Sequence, residues 1–178
     1  MIAAVCGLAI LGIIEIFHLA VTTALVRRIR VLQTGTAIEP DVGGPAVGER
    51  GPKPTSVADV PKETDILVGF FSSGCPACRT EAPHFAEIVP ELGKAGVHPV
   101  AVLNGAAGPE RDSLAAALAP TGVPVLDEAA RQAFHAFAVN ATPAFFLLRG
   151  DGMVAGKGVS VAQALLSAKP RERATAGA

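Results

Sequence analysis

The sequence predicts an α/β domain built on a central mixed sheet with helices on both faces. Three observations carry this. Apolar runs of strand length alternate with segments of helical periodicity, the order that packs helices onto both sides of a sheet. The last two strand-like runs, residues 144–148 and 153–159, are joined by Gly150-Asp151-Gly152, a hairpin signal, so the sheet cannot be wholly parallel. Finally, Ile66-Leu67-Val68-Gly69-Phe70-Phe71 runs directly into Ser72-Ser73-Gly74-Cys75-Pro76-Ala77-Cys78, which puts two cysteines at a strand-to-helix turn.

In chain order, residues 2–26 come first: almost continuously apolar, long enough to cross a bilayer as a helix, and closed by Arg27, Arg28 and Arg30. Glu15 and His18 interrupt the run. An acidic residue at mid-span costs about 3 kcal/mol on the insertion scale, but the thirteen Ile, Leu, Val and Phe contribute roughly −0.3 to −0.6 each, so insertion remains favoured. With no basic stretch ahead of the run and no small-x-small site after it, the expectation is an uncleaved transmembrane anchor over residues 1–30 rather than a signal peptide. Glu15 and His18 share a helical face, either as a mutually satisfied pair or as a polar contact to another membrane protein.

Residues 31–63 carry Gly43-Gly44-Pro45 and Gly51-Pro52-Lys53-Pro54 with little periodicity and are expected to form a tether, with a short strand within 55–60. The domain proper is expected over residues 64–169, followed by a disordered tail at 170–178. Inside it, residues 66–71 read as a buried strand, and helical spacing continues from Cys75 to about Leu92. Gly93-Lys94-Ala95-Gly96 marks a turn, residues 97–103 a second buried strand despite Pro99, and Asn104-Gly105 its end. Pro109 opens an Ala/Leu-rich helix to Leu118, stopped before Pro120. A short strand at 123–126, a helix at 128–138, the hairpin and a helix at 160–168 complete the reading.

Composition narrows the function. A net charge of −1 and no long block of Lys or Arg leave no electrostatic footprint for nucleic acid. A mean hydropathy of +0.44 is high for an ordinary soluble domain, and the excess lies in the front segment. Of the three cysteines, Cys6 falls in that front, leaving Cys75 and Cys78 as a pair. Structural zinc needs four ligands, and no second Cys or His pair at ligand spacing exists in the sequence. A purely structural disulfide closing so small a loop would stabilise little.

Redox chemistry suits the pair better. Cys75 falls at a helix start with Pro76 in the first helical position, where a missing N–H does no harm, so unpaired backbone donors and the helix dipole face its sulfur and favour the nucleophilic thiolate. Cys78, one turn on, lies on the same side at plausible bonding distance.

The run from Ile66 to Pro83, with Ala141-Thr142-Pro143 before a strand and Gly150-Asp151-Gly152 after it, resembles thioredoxin-like proteins of the TlpA type. These are membrane-tethered disulfide reductases that include cytochrome-maturation thioredoxins and the accessory protein of methylamine dehydrogenase maturation. The resemblance implies a thioredoxin-like fold, Cys75 as attacking and Cys78 as resolving cysteine, and a cis-proline at Pro143 facing them, with Thr142 and Pro76 bordering the client. Glu81 matches the glutamate of a C-x-x-C-x-x-E-x-P pattern and is either a proton relay to the thiols or an acid favouring the helix N-terminus. Pro83 is expected to kink the helix. Implied partners are client protein thiols or disulfides and a membrane-embedded electron-transfer partner, with no cofactor and no metal.

The sequence departs from the pattern at three places. Gly74 replaces a usual Trp, Gly69 a buried Asp, and Pro76-Ala77 reverses the usual order of the intervening pair. Of the remaining histidines, His84, His98 and His135 read as packed or surface residues. His135 keeps open a copper-binding or redox-inert maturation chaperone of the same fold, although copper-delivery relatives carry a C-x-x-x-C one residue longer. Orientation is pulled two ways: arginines after the span put the domain in the cytoplasm, while the resemblance implies a domain outside the cytoplasmic membrane, where disulfides persist. The expectation adopted is extracytoplasmic.

Overall fold

The computed structural model describes residues 41–52, 64–122 and 124–168. The expected anchor at 1–30, the strand at 55–60 and the tail at 170–178 lie outside these residues. Among the described residues, no helix is long and apolar enough to cross a membrane.

Strand β1 (Asp65–Ser72) lies inside a sheet of order β2-β1-β3-β4, with β2 at Val97–Asn104, β3 at Ala144–Leu148 and β4 at Val154–Gly158. It runs parallel to β2 and antiparallel to β3, and β3 runs antiparallel to β4, so the sheet is mixed. Being covered on both faces, β1 is a continuous apolar run. Its alternate residues feed two cores. Ile66, Val68 and Phe70 pack with Val102, Phe137 and Phe146, while Leu67 and Phe71 pack on the opposite face with Cys78, Phe85 and Phe145. Pro99 is tolerated because β2 is an edge strand.

Helix α1 (Pro76–Glu87) covers the second core, followed by α2 (Val89–Lys94) and α3 (Pro109–Leu118); α4 (Asp127–Ala136) supplies Ala130 and Ala133 to the first core. Helix α5 (Val161–Leu166) follows the hairpin. Pro83 lies inside α1, which continues through it to Glu87.

Four expectations need correction. The helix expected to run unbroken to Leu92 divides at Ile88, because Pro90, in the first turn of α2, has no N–H to continue the ladder. Of the strand expected at 123–126, the described residues make a single parallel bridge between Val125 and Val102: Asp127, the next position that could pair, turns left-handed at φ 54° and opens α4. The helix expected to reach 138 ends at Ala136: Ala138 turns left-handed at φ 47° and Val139 N–H returns to Phe134 O, a Schellman closure. Residues 41–52 fall within the expected tether yet belong to the domain. Val42 is 1% exposed in the first core, Gly43 bridges Val139, and Arg50 bridges Met153. Gly48 N–H donates to Val154 O at 2.8 Å and Val154 N–H to Glu49 O at 2.8 Å, extending the sheet beyond β4.

Candidate active site

The site forms where β1 ends. Ser73 N–H donates to Asn104 O at 3.0 Å, tying the turn after β1 to the end of β2. A Cβ on Gly105 would lie 2.0 Å from Ser73 Oγ, so the approach of the two loops requires glycine there. Cys75 N–H donates to Ser72 O at 3.1 Å, and Cys75, at φ −100° and ψ 111°, is the N-cap of α1. Pro76 occupies the first turn, where no donor is missed. The Cys75 sulfur accepts from Cys78 N–H at 3.2 Å, so a thiol stands where a capping oxygen normally does.

Both cysteines are free thiols; Cys75 is half-buried and Cys78 buried. Burial pushes the Cys75 thiol up, but hydrogen bonds from the Cys78 thiol, the Thr142 side chain and the backbone of Cys78 and Ala77 outweigh it, and its pKa is lowered. Burial, together with the hydrogen bond to Cys75, pushes Cys78 up to about 12. The asymmetry makes Cys75 the thiol that ionises first and leaves the more tightly held proton on Cys78.

Opposite the sulfur, the Thr142–Pro143 peptide bond is cis, as the resemblance implies. Cys75 Sγ lies 3.2 Å from Thr142 O, donating to it when protonated. A carbonyl can only accept, so this contact favours the thiol, against the lowering effect of the Thr142 side chain. Pro143 is buried and Thr142 half-buried beside it.

Glu81 turns its carboxylate away from the thiols. Its Oε1 accepts from Val161 N–H at 3.0 Å and its Oε2 lies 3.8 Å from His84 Nδ1, with the carboxylate side chain 17% exposed. Both oxygens face the start of α5 and His84, and no hydrogen bond joins Glu81 to either sulfur among the described residues. Ser160 Oγ accepts from Gln163 N–H and Gln163 Oε1 from Val159 N–H, so Glu81 completes the capping of α5 from a neighbouring helix.

The Gly69 departure has a physical reason. A Cβ at Gly69 would meet Phe71 at 2.8 Å, Phe145 at 2.9 Å and Phe85 at 3.1 Å; three rings fill the space a buried acid would need. Gly74 is open, with nothing within 4 Å of an added Cβ. His135 is exposed on α4, which packs on the opposite face of the sheet from Cys78, so it does not converge with the cysteines. His98 is exposed on β2. Among the described residues, no group of three or more His, Cys, Asp or Glu is arranged to hold a metal ion.

The sequence reading missed the backbone partners of the site, Ser72 and Asn104, and the packing of residues 41–44 against the segment leading to Thr142. The Gly43-Gly44 pair was the available signal.

Residues 33–167 match the Redoxin family. No curated protein matches. Among solved structures, the chain is similar to the thioredoxin domain of a thiol-disulfide oxidoreductase from Bacteroides vulgatus, with a TM-score of 0.55 at 15% identity over 69% of this chain and 95% of that one. It is also similar to a domain of a possible thiol-disulfide isomerase from Cytophaga hutchinsonii, with a TM-score of 0.51 at 18% identity over 66% and 86% of the two chains. At such identities the likeness shows the thioredoxin fold. The chain belongs to the Redoxin family and has the thioredoxin fold, with Cys75 and Cys78 as free thiols at the start of α1.

Proposed function

We propose that the protein is a membrane-anchored thiol-disulfide oxidoreductase that exchanges disulfides with client proteins through Cys75 and Cys78. The observation that carries this is the unequal pair: a Cys75 sulfur capping α1 with its pKa lowered, and a buried Cys78 that keeps its proton. The Cys75 thiolate attacks one sulfur of a client disulfide, forming a Cys75–client mixed disulfide and expelling a client thiolate that takes up a proton from solvent. With Cys75 bonded, its charge and its hydrogen bond no longer hold the Cys78 proton, and the Cys78 pKa falls. Cys78 then loses its proton, attacks the Cys75 sulfur, closes the Cys75–Cys78 disulfide and releases the second client thiolate. The reverse sequence oxidises a client dithiol. Glu81 needs no part in these transfers.

The apolar run at 2–26 supports anchoring, and the family match begins at residue 33, beyond it. An extracytoplasmic domain beside a membrane-embedded electron-transfer partner is part of the proposal, on the strength of the resemblance. The chemistry is tested with Cys78→Ser, which cannot resolve. Incubated with disulfide-bearing proteins, it accumulates a covalent adduct at Cys75 that dithiothreitol releases. Failure of every disulfide substrate, including a small aromatic disulfide, to form that adduct refutes the assignment.

A further inference from the structure

Gly43 and Gly44 take left-handed φ values of 74° and 76° in succession. A Cβ on Gly43 would lie 2.3 Å from Ala138 O, and one on Gly44 2.5 Å from Phe137 O, so the backbone comes closer to residues 137–138 than any other residue type allows. Asp41 Oδ1 accepts from Gly43 N–H at 2.9 Å and fixes the turn. Val42 is sunk into the core with Phe137 and Phe146, and its carbonyl accepts from Asn140 N–H at 3.0 Å. Thr142 stands two residues beyond Asn140, with its carbonyl 3.2 Å from the Cys75 sulfur. The other end of this strap, residues 48–51, bonds instead to residues 152–154 at the start of β4.

We propose that residues 41–44 are a positioning clamp for the redox site: by holding residues 138–140 they set where Thr142 stands against the Cys75 sulfur, and so the reactivity of Cys75. The inference rests on Cys75 being the nucleophile. A brace serving packing alone would affect stability and leave Cys75 untouched. The clamp acts on Cys75 through Thr142, because the groups in contact with that sulfur are the Cys78 thiol, the Thr142 residue and the backbone of α1. Of the charged and titratable side chains on α1, Arg79, His84 and Glu87 are exposed and Glu81 is bonded to Val161.

The test uses Gly43→Ala in the full chain. Its Cβ forces the clamp from Ala138 O, so amide exchange at Asn140 accelerates. The midpoint of Cys75 alkylation then moves, and its rate at pH 7 changes roughly threefold to tenfold, the effect of altering one hydrogen bond at this sulfur; the sign tells whether the Thr142 carbonyl, which favours the thiol, or its side chain, which favours the thiolate, dominates. Should Gly43→Ala fail to fold, Asp41→Ala loosens the same turn and produces a smaller shift. Arg50→Ala, which removes the bond to Asp151 O at the far end of the strap, leaves the Cys75 midpoint where it is. An Asn140 amide that stays protected, a Cys75 midpoint that is unmoved, or an equal shift in Arg50→Ala overturns the clamp. Failure of the underlying redox reading looks different: Cys78→Ser then traps no substrate even with the clamp intact.

Discussion

Replacing Glu81 separates a proton relay from a structural cap. The carboxylate accepts the first N–H of α5 at 3.0 Å and is 17% exposed, so its bond to Val161 is charge-assisted and partly shielded from water. Such bonds contribute about 1.5–3 kcal/mol, and loss of a helix cap costs about 0.5–2 kcal/mol. Glu81→Ala is therefore expected to destabilise the domain by about 2 kcal/mol, since the Val161 N–H loses its partner at a half-buried site. Glu81→Gln keeps a neutral acceptor in the same place and loses roughly half of that. Urea unfolding of the reduced protein measures both, with a lowered midpoint at unchanged slope. In parallel, the pH profile of Cys75 alkylation in Glu81→Gln stays superimposable on that of the unmodified protein, because neither Glu81 oxygen reaches a sulfur. A displaced alkylation profile in Glu81→Gln, with stability unchanged, refutes the reasoning and restores the relay.

Two further outcomes are expected. Ala138→Gly should stabilise the domain by about 0.5–1 kcal/mol in the same unfolding assay, because Ala138 holds a left-handed φ of 47° that glycine adopts without steric penalty; an unchanged or lowered midpoint would count against the helix closure described. With an extracytoplasmic domain, a membrane-impermeant thiol reagent applied to intact, mildly reduced cells labels Cys75; labelling that appears only after lysis places the domain in the cytoplasm, as Arg27, Arg28 and Arg30 suggest.

What the sequence disclosed and what it hid follow from the range of the interactions. The strand-turn-helix around Cys75 was legible because each part has a local cause: a doubly buried strand, a proline at the helix start, two cysteines one turn apart. Gly150-Asp151-Gly152 announced the hairpin for the same reason, and the break at Ile88 was already written in Pro90. Residues 41–52 misled because Gly and Pro are linker residues by composition, whereas here they permit close backbone pairing to residues 139–140 and 152–154, which leaves no side-chain pattern. Glu81 illustrates the same limit, its partner being a backbone N–H 80 residues away. Gly69 reads in the sequence as a missing acid. That three phenylalanine rings occupy its place emerges only from packing.

The difference between Cys75 and Cys78 is the centre of the account, and site-resolved alkylation of the reduced protein against pH measures it directly. Alkylation proceeds through the thiolate, so each cysteine's rate falls as pH drops through its own pKa. Cys75 is predicted to react at a midpoint below the ordinary thiol value of 9.0, and Cys78, pushed up to about 12 while Cys75 is unmodified, to label only after it. Two cysteines that titrate together near the ordinary thiol value, or a Cys78 that labels first, would contradict it.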